Sequence, residues 1–128
     1  MVFVDTNVFV YAVGRAHPLR DPARRSLEEH AAGHVPMATS AEVLQELLHI
    51  YLPPGRIQTL DAALQLASDL AVVWPVDASD VLAARDLLAR HVGLSARDLL
   101  HLAICQRYHV TELLTFDRGL AAAFGRRS

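Results

Sequence analysis

The sequence has little of several features that would each point to a particular class of protein. It has a single cysteine, Cys105, which excludes a disulfide framework and a zinc site built from cysteines. Its apolar runs are too short to cross a membrane, and no basic segment leads into an apolar stretch at the start, so no secretory signal is expected. It contains no lysine, and its formal net charge is −2, so the whole molecule is not an electrostatic match for nucleic acid. We therefore expect a cytoplasmic protein without a membrane segment.

The remaining composition is typical of one compact α/β domain. The chain has 128 residues, of which 52% are hydrophobic and 20% are charged. Four short β-branched or aromatic stretches alternate with longer segments of helical periodicity, and we expect strands at 2–4, 34–38, 72–76 and 113–116. This alternation predicts right-handed crossovers and a mainly parallel sheet that is covered by helices on both faces. We expect a single domain over residues 1–128.

Local signals predict how several of these elements begin and pack. Pro36 weakens the second strand and places it near an edge of the sheet. Thr39 and Glu42 fit a capping box in which Thr39 is the N-cap and Glu42 is the N3 residue, and Ser95 and Asp98 fit a second one. The helix expected after the third strand should bury four apolar side chains: Val81, Leu82, Leu87 and Leu88.

Two acidic residues follow predicted strands. Asp5 ends the first strand abruptly, and Asp117 ends the fourth in the same way. In parallel α/β sheets the carboxyl ends of the strands are where ligands and reactive groups collect. Each acid could instead be only the N-cap of the helix that follows it. The matching positions of the two acids favour a shared site.

Two further acids lie on predicted helices. Glu46 follows Glu42 by one turn among apolar neighbours, and the sequence leaves open whether it is a surface acid or part of a site. Asp98 begins a helix that is apolar nearly all round, which suggests that the helix is buried. A buried carboxylate must pair with a partner or bind a metal, since isolation costs a large desolvation energy. His101, one turn after Asp98, could touch such a site, but we expect an ordinary core or surface histidine.

Four short segments carry these acids in chain order. The segments are 5–8 with Asp5, 40–47 with Glu46, 94–103 with Asp98 and 114–118 with Asp117. Together they resemble the motifs of PIN-domain ribonucleases, in particular the VapC toxins of bacterial toxin–antitoxin pairs. The resemblance spans essentially the whole chain, in order and at the family's spacing.

The resemblance implies a fold and an activity. The fold is a PIN-like three-layer α/β/α sandwich with a four- or five-stranded sheet, and the fifth strand is in doubt because the chain ends soon after Phe124. The activity is hydrolysis of RNA phosphodiester bonds by a water molecule that Mg²⁺, or Mn²⁺ in its place, activates. The residues implied as catalytic and metal-binding are Asp5, Glu46, Asp98 and Asp117, with Asn7 and Thr115 orienting them from behind. The chemistry of the four acids supports the same metal independently of the resemblance. Clustered carboxylates need a cation, and all-oxygen ligation suits Mg²⁺ or Mn²⁺ better than Zn²⁺.

The resemblance also implies partners, and two alternatives stay open. The partners are a VapB-like antitoxin, a small DNA-binding protein whose tail covers the acidic groove, and a second copy of the chain in a homodimer. A phosphatase of the haloacid dehalogenase type also begins with an acid at a strand end, but it needs a second aspartate where this chain has Asn7. A PIN-like module that binds RNA or protein without catalysis usually lacks at least one acid, and all four are present here.

Overall fold

The computed structural model describes residues 1–126, which form four short strands and seven helices. The strands are β1 (Val2–Val4), β2 (Met37–Ser40), β3 (Val72–Trp74) and β4 (Glu112–Leu114). The helices are α1 (Thr6–Val13), α2 (Arg20–Ala32), α3 (Ala41–Tyr51), α4 (Ile57–Leu70), α5 (Ala78–Leu87), α6 (Ala96–Arg107) and α7 (Arg118–Gly125). None of the helices in this described range has both the length and the apolar character needed to cross a bilayer.

The sheet is fully parallel and has the order β3-β2-β1-β4. The chain steps from β1 to β2 to β3 in one direction and then returns across the sheet to β4. Right-handed crossovers therefore put α1 to α4 on one face and α5 and α6 on the other. The contacts agree, since α1 packs on α2, α3 and α4, while α6 packs on α5 and α7. This is the predicted PIN-like sandwich, with four strands in the described residues.

The central strand β1 explains why the core forms where it does. All three of its residues are buried, as expected for a strand with a neighbour on each side and helices on both faces. Phe3 lies on the α6 side, where its ring contacts that of His101 at 5.7 Å between centroids. The largest fully buried apolar side chains around it are Phe9, Leu47, Ile104 and Leu120.

The predicted edge position of the second strand is wrong. β2 lies inside the sheet, between β1 and β3. Pro36 falls just before the strand, so its missing N–H interrupts no ladder, and its carbonyl accepts a hydrogen bond from the Val2 N–H at 3.0 Å. The proline therefore marks where the strand begins and says nothing about an edge.

The predicted capping box at α3 is also wrong, by one residue. Ser40 is the N-cap, and its Oγ accepts a hydrogen bond from the Val43 N–H at 3.3 Å. Thr39 is still in β2, fully buried, and its hydroxyl donates to the Val4 carbonyl at 2.9 Å. Glu42 consequently has no capping role. The second predicted capping box is confirmed for its N-cap, because the Ser95 hydroxyl accepts the Asp98 N–H at the start of α6.

Helix α5 faces the core with a different side from the one predicted. Of the four residues expected to be buried only Leu87 is, while Val81, Leu82 and Leu88 are 53%, 67% and 40% exposed. The helix instead turns Asp80 inward, where its carboxylate accepts a hydrogen bond from Arg107 of α6 at 2.8 Å. Asp80 is buried and Arg107 is exposed in this ion pair, and the side of α5 that faces away from the core carries an apolar strip.

Candidate active site

The four predicted acids meet at the carboxyl edge of the sheet, next to β1, which has β2 on one side and β4 on the other. Asp5 follows β1 directly, and Asp117 lies three residues beyond the end of the adjacent strand β4. Glu46 comes from the middle of α3, and Asp98 comes from the first turn of α6. All four line one cleft of about 450 Å³. The cleft sits at the position where open α/β sheets hold their ligands.

Asp5 is held at both oxygens at the floor of this cleft. Its Oδ1 accepts a hydrogen bond from the Thr6 N–H at 2.8 Å, and its Oδ2 accepts one from the Thr115 hydroxyl at 2.7 Å. The Asp5 N–H donates to the Leu114 carbonyl at 3.0 Å, which continues the β1–β4 pairing. The carboxylate is only 5% exposed and has little freedom to rotate.

Glu46 is buried beside Asp5, so it is not a surface acid. Its Oε2 accepts a hydrogen bond from the Thr6 hydroxyl. Its Oε1 lies 2.9 Å from Nε2 of His101, and the same nitrogen lies 3.5 Å from Oδ1 of Asp5. The ring nitrogen is thus within ion-pair distance of both acids, although it makes a well-directed hydrogen bond to neither.

A hydrogen-bond network joins Asn7 and Thr115 to the loop that carries Asp117. Asn7 donates from Nδ2 to the Thr115 hydroxyl at 3.4 Å and accepts the Phe116 N–H at 3.2 Å. The Thr115 hydroxyl also accepts the Asp117 N–H at 3.0 Å. Asp117 in turn caps α7, because its Oδ1 accepts the Leu120 N–H at 2.9 Å. The two predicted supporting residues are therefore hydrogen-bonded to the loop that carries Asp117, and Thr115 also to Asp5.

Asp98 projects into the cleft from the start of α6. Ser95 caps the helix by accepting the Asp98 N–H at 3.1 Å, which leaves the Asp98 carboxylate half-buried near the cleft opening. Arg97, the exposed neighbour, also lines the cleft. Its guanidinium is the cation among the cleft-lining side chains.

The electrostatics of the cleft follow from burial and from the mutual repulsion of the acids. Burial raises the pKa of Asp5, against the opposing effects of His101 and Thr115. Burial, together with the charges of Asp117 and Asp5, also raises the pKa of Asp98. Both carboxylates are therefore harder to ionise than usual, which a bound cation would reverse.

Glu46 and His101 shift in the direction expected of an ion pair. Burial favours neutral Glu46, but the contacts with His101 and Thr6 outweigh it and lower the pKa of the carboxyl. Burial likewise favours neutral His101, but the nearby carboxylates of Glu46 and Asp5 raise the pKa of the imidazole. Each partner stabilises the charged form of the other.

The donor set can accommodate a metal ion. One ligand atom from each of Asp5, Glu46 and His101 lies within 4.8 Å of the others. Glu46 Oε1 and both ring nitrogens of His101 are buried without a well-directed hydrogen bond, which is unusual for polar atoms inside a protein. Buried polar atoms without satisfied hydrogen bonds beside several carboxylates fit a cleft that binds a cation, either through these atoms or through the acids next to them.

Two residues that contact the acids of the cleft, Thr6 and His101, were not assigned to the site from the sequence. His101 is 1% exposed, so the expected core histidine is there, but its ring also contacts two acids of the cleft. Its spacing from Asp98 was the available signal. Thr6 gave none, because a hydroxyl next to a strand end has many ordinary uses.

Comparisons with known proteins agree with this fold. The PIN domain profile matches residues 2–124. Two solved structures share the fold at 23% sequence identity. The crystal structure of Mycobacterium tuberculosis VapC20, a Sarcin-Ricin loop cleaving toxin, gives a TM-score of 0.80 over 96% of this chain and 95% of that one. VapBC2 from Rickettsia felis, bound to a DNA fragment from their promoter, gives 0.70 over 91% of this chain and 88% of that one.

Two relatives found by sequence have a higher identity to this chain than these solved structures. Ribonuclease VapC23 of Mycobacterium tuberculosis is 60% identical over 124 residues, which cover 97% of this chain and 98% of the relative. Ribonuclease VapC13 of the same species is 40% identical over 120 residues, which cover 93% and 92% of the two chains. The chain therefore belongs to the PIN domain family and, within it, to the VapC ribonucleases.

Proposed function

We propose that this chain is a metal-dependent endoribonuclease, the toxin of a VapBC toxin–antitoxin pair. The observation that carries the proposal is the convergence of four carboxylates in one cleft of a chain that is 60% identical to Ribonuclease VapC23 over nearly its whole length. The proposal assigns the activity to a single domain over residues 1–128.

The acids have distinct roles in this proposal. Asp5, Asp98 and Asp117 are the main metal ligands, directly or through water, and Glu46 is either a further ligand or a nearby base. A divalent ion bound there would orient and acidify a water molecule and offset the charge that develops on the phosphate. Asn7 and Thr115 keep the acids in position through their hydrogen bonds, as the residues behind a metal site commonly do.

The proposed ion is Mg²⁺, with Mn²⁺ as a substitute. Carboxylate oxygens dominate the cleft, and oxygen ligands favour these ions over softer ones. Mn²⁺ shares the preference for oxygen ligands and is paramagnetic, so it is the better probe for binding measurements.

Cleavage of a labelled pool of total RNA tests the activity. Wild type with Mg²⁺ or Mn²⁺ should give discrete fragments, and either EDTA or the substitution Asp98→Asn should abolish them. The matched control is Asp86→Asn, because Asp86 is an exposed acid on α5 that does not line the cleft. No cleavage by folded, antitoxin-free wild type would support the alternative, a PIN-like module that binds RNA or protein without catalysis.

Two partners and a location belong to the proposal. A VapB-like antitoxin should bind the chain and suppress cleavage. The test is to add the protein encoded by the reading frame upstream of this one to the cleavage assay. A second copy of the chain should form a homodimer, which the exposed apolar strip of α5 supports. A cytoplasmic location, where an RNA substrate is available, is also part of the proposal.

A further inference from the structure

We propose that His101 is a positioning residue that clamps Asp5 and Glu46 together, and that Glu46 supports the metal site without ligating the ion. The inference rests on the proposed function, since it concerns how this cleft holds its cation. It excludes the role of ligand that the proposed function left open for Glu46.

The placement of His101 carries the first step. The residue lies on α6 one turn beyond Asp98, so the helix that delivers one acid also delivers the imidazole. The ring is 1% exposed and packs against Phe3 of β1, which prevents it from swinging out of the cleft floor. Its Nε2 lies between Oε1 of Glu46 at 2.9 Å and Oδ1 of Asp5 at 3.5 Å.

The oxygen atoms of Glu46 carry the second step. Oε2 accepts the Thr6 hydroxyl, and Oε1 faces His101 at ion-pair distance inside the protein. One oxygen of this buried carboxylate thus accepts a hydrogen bond, and the other has the His101 ring nitrogen as its close polar neighbour. Thr6 also donates its N–H to Asp5, so Thr6 and His101 each contact both acids. Asp98 and Asp117, by contrast, are half-buried and remain open to the cleft.

This arrangement has a chemical use. Three ligands that carry one negative charge each must be held close against their repulsion before an ion arrives. A donor fixed beneath Asp5 sets the orientation of that carboxylate, and Glu46 sets the orientation of the donor. Partners behind a metal ligand commonly control its affinity in this way.

Mn²⁺ binding to the full-length chain, measured by electron paramagnetic resonance, tests the inference without using activity. His101→Leu removes the donor and should weaken Mn²⁺ binding roughly 10- to 100-fold. His101→Gln returns an N–H donor near the position of Nε2 and should recover most of that loss. The matched control is His91→Leu, because His91 is also buried but does not line the cleft, and it should bind Mn²⁺ like wild type.

Pulsed electron paramagnetic resonance on wild type loaded with Mn²⁺ shows whether His101 is a positioning residue or a metal ligand. It needs no variant, so it applies even if a variant fails to fold. We expect no coupling from a directly bound imidazole nitrogen. Such a coupling would make His101 a ligand and overturn the inference, as would unchanged Mn²⁺ affinity in folded His101→Leu. Wild type that binds Mn²⁺ but cleaves no RNA would overturn the proposed function alone, and the His101 variants would still decide this inference. Wild type that binds no Mn²⁺ would overturn both.

Discussion

The carboxylate of Asp98 is held close to two other negative charges, so it opposes folding when no cation is present. Its pKa in the folded chain lies above the ordinary 3.8 because of burial and the charges of Asp117 and Asp5. A raised carboxyl pKa means that the contribution to stability is full below pH 3.8 and is lost as the pH rises through the raised value. Above the raised value none of that contribution remains.

The substitution Asp98→Asn should therefore stabilise the metal-free protein at pH 7. We expect the melting temperature to rise by a few degrees, and the gain to vanish as the pH approaches 3.8, where wild-type Asp98 is protonated as well. Differential scanning calorimetry in EDTA across this pH range measures the effect. Asp86→Asn, which removes an exposed acid outside the cleft, should leave the melting temperature almost unchanged.

Addition of Mn²⁺ should make wild type melt at a higher temperature than Asp98→Asn, the reverse of the order without the ion. An ion at 100 times its dissociation constant stabilises the folded state by about 2.7 kcal/mol, provided that it binds only that state. Wild type should gain this stability, and Asp98→Asn should gain little, because it lacks a proposed ligand. An equal gain in both proteins, measured by the same calorimetry at pH 7, would remove Asp98 from the metal site.

At the scale of the helix, Asp117 has a structural use and a proposed chemical one. It caps α7 through the Leu120 N–H, and it also lines the cleft. Asparagine caps helices about as well as aspartate, whereas alanine in place of a capping residue costs about 1 kcal/mol. Two substitutions at one position can therefore separate the two uses.

Both Asp117→Asn and Asp117→Ala should abolish RNA cleavage, but only the alanine variant should lose the cap. We expect the free energy of unfolding in urea, without divalent ions, to be about 1 kcal/mol lower for alanine than for asparagine. The comparison between the two variants excludes the change in charge, which they share. Cleavage by Asp117→Asn at the wild-type rate would mean that the cap is the residue's only use.

The elements were predictable where one local signal dominates, and less so where two signals compete. β1 is an uninterrupted apolar run that ends at an acid, and Ser95 is followed by a long helix, so both were predicted correctly. At 39–42 two adjacent hydroxyl residues could each cap α3. Ser40 does so because Thr39 is buried in β2 and donates to the Val4 carbonyl. Only the sheet pairing, which is a long-range contact, decides this.

The same reasoning applies to the cleft. The four acids were found because each follows a strand or lies in a short motif with fixed spacing. Whether Asp5 and Glu46 share His101 depends on α6 crossing beneath β1, which no local pattern encodes. The residues that could ligate, and the support from Asn7 and Thr115, were therefore predictable from the motifs, and the contacts of Thr6 and His101 were not.

For the whole molecule, the wrong prediction for α5 points to a missing partner. Val81, Leu82 and Leu88 have the helical spacing of a buried face, yet they are exposed in the single chain. Val92, shortly after the helix, is 85% exposed. Exposed apolar strips of this kind often mark protein interfaces. The sequence pattern would then be correct for the dimer although it is wrong for one copy.

The proposed homodimer should therefore depend on this strip. Wild type should have the mass of two chains in size-exclusion chromatography with light scattering, and Leu82→Glu should have the mass of one, because an ionised carboxylate cannot be buried there without a partner. The variant should keep the circular dichroism of wild type, since Leu82 is 67% exposed and does not belong to the core. Ile57→Glu is the matched control, because Ile57 is a 48% exposed apolar residue on α4, away from α5. A dimer that survives Leu82→Glu would place the interface elsewhere, and a monomeric wild type would contradict the homodimer itself.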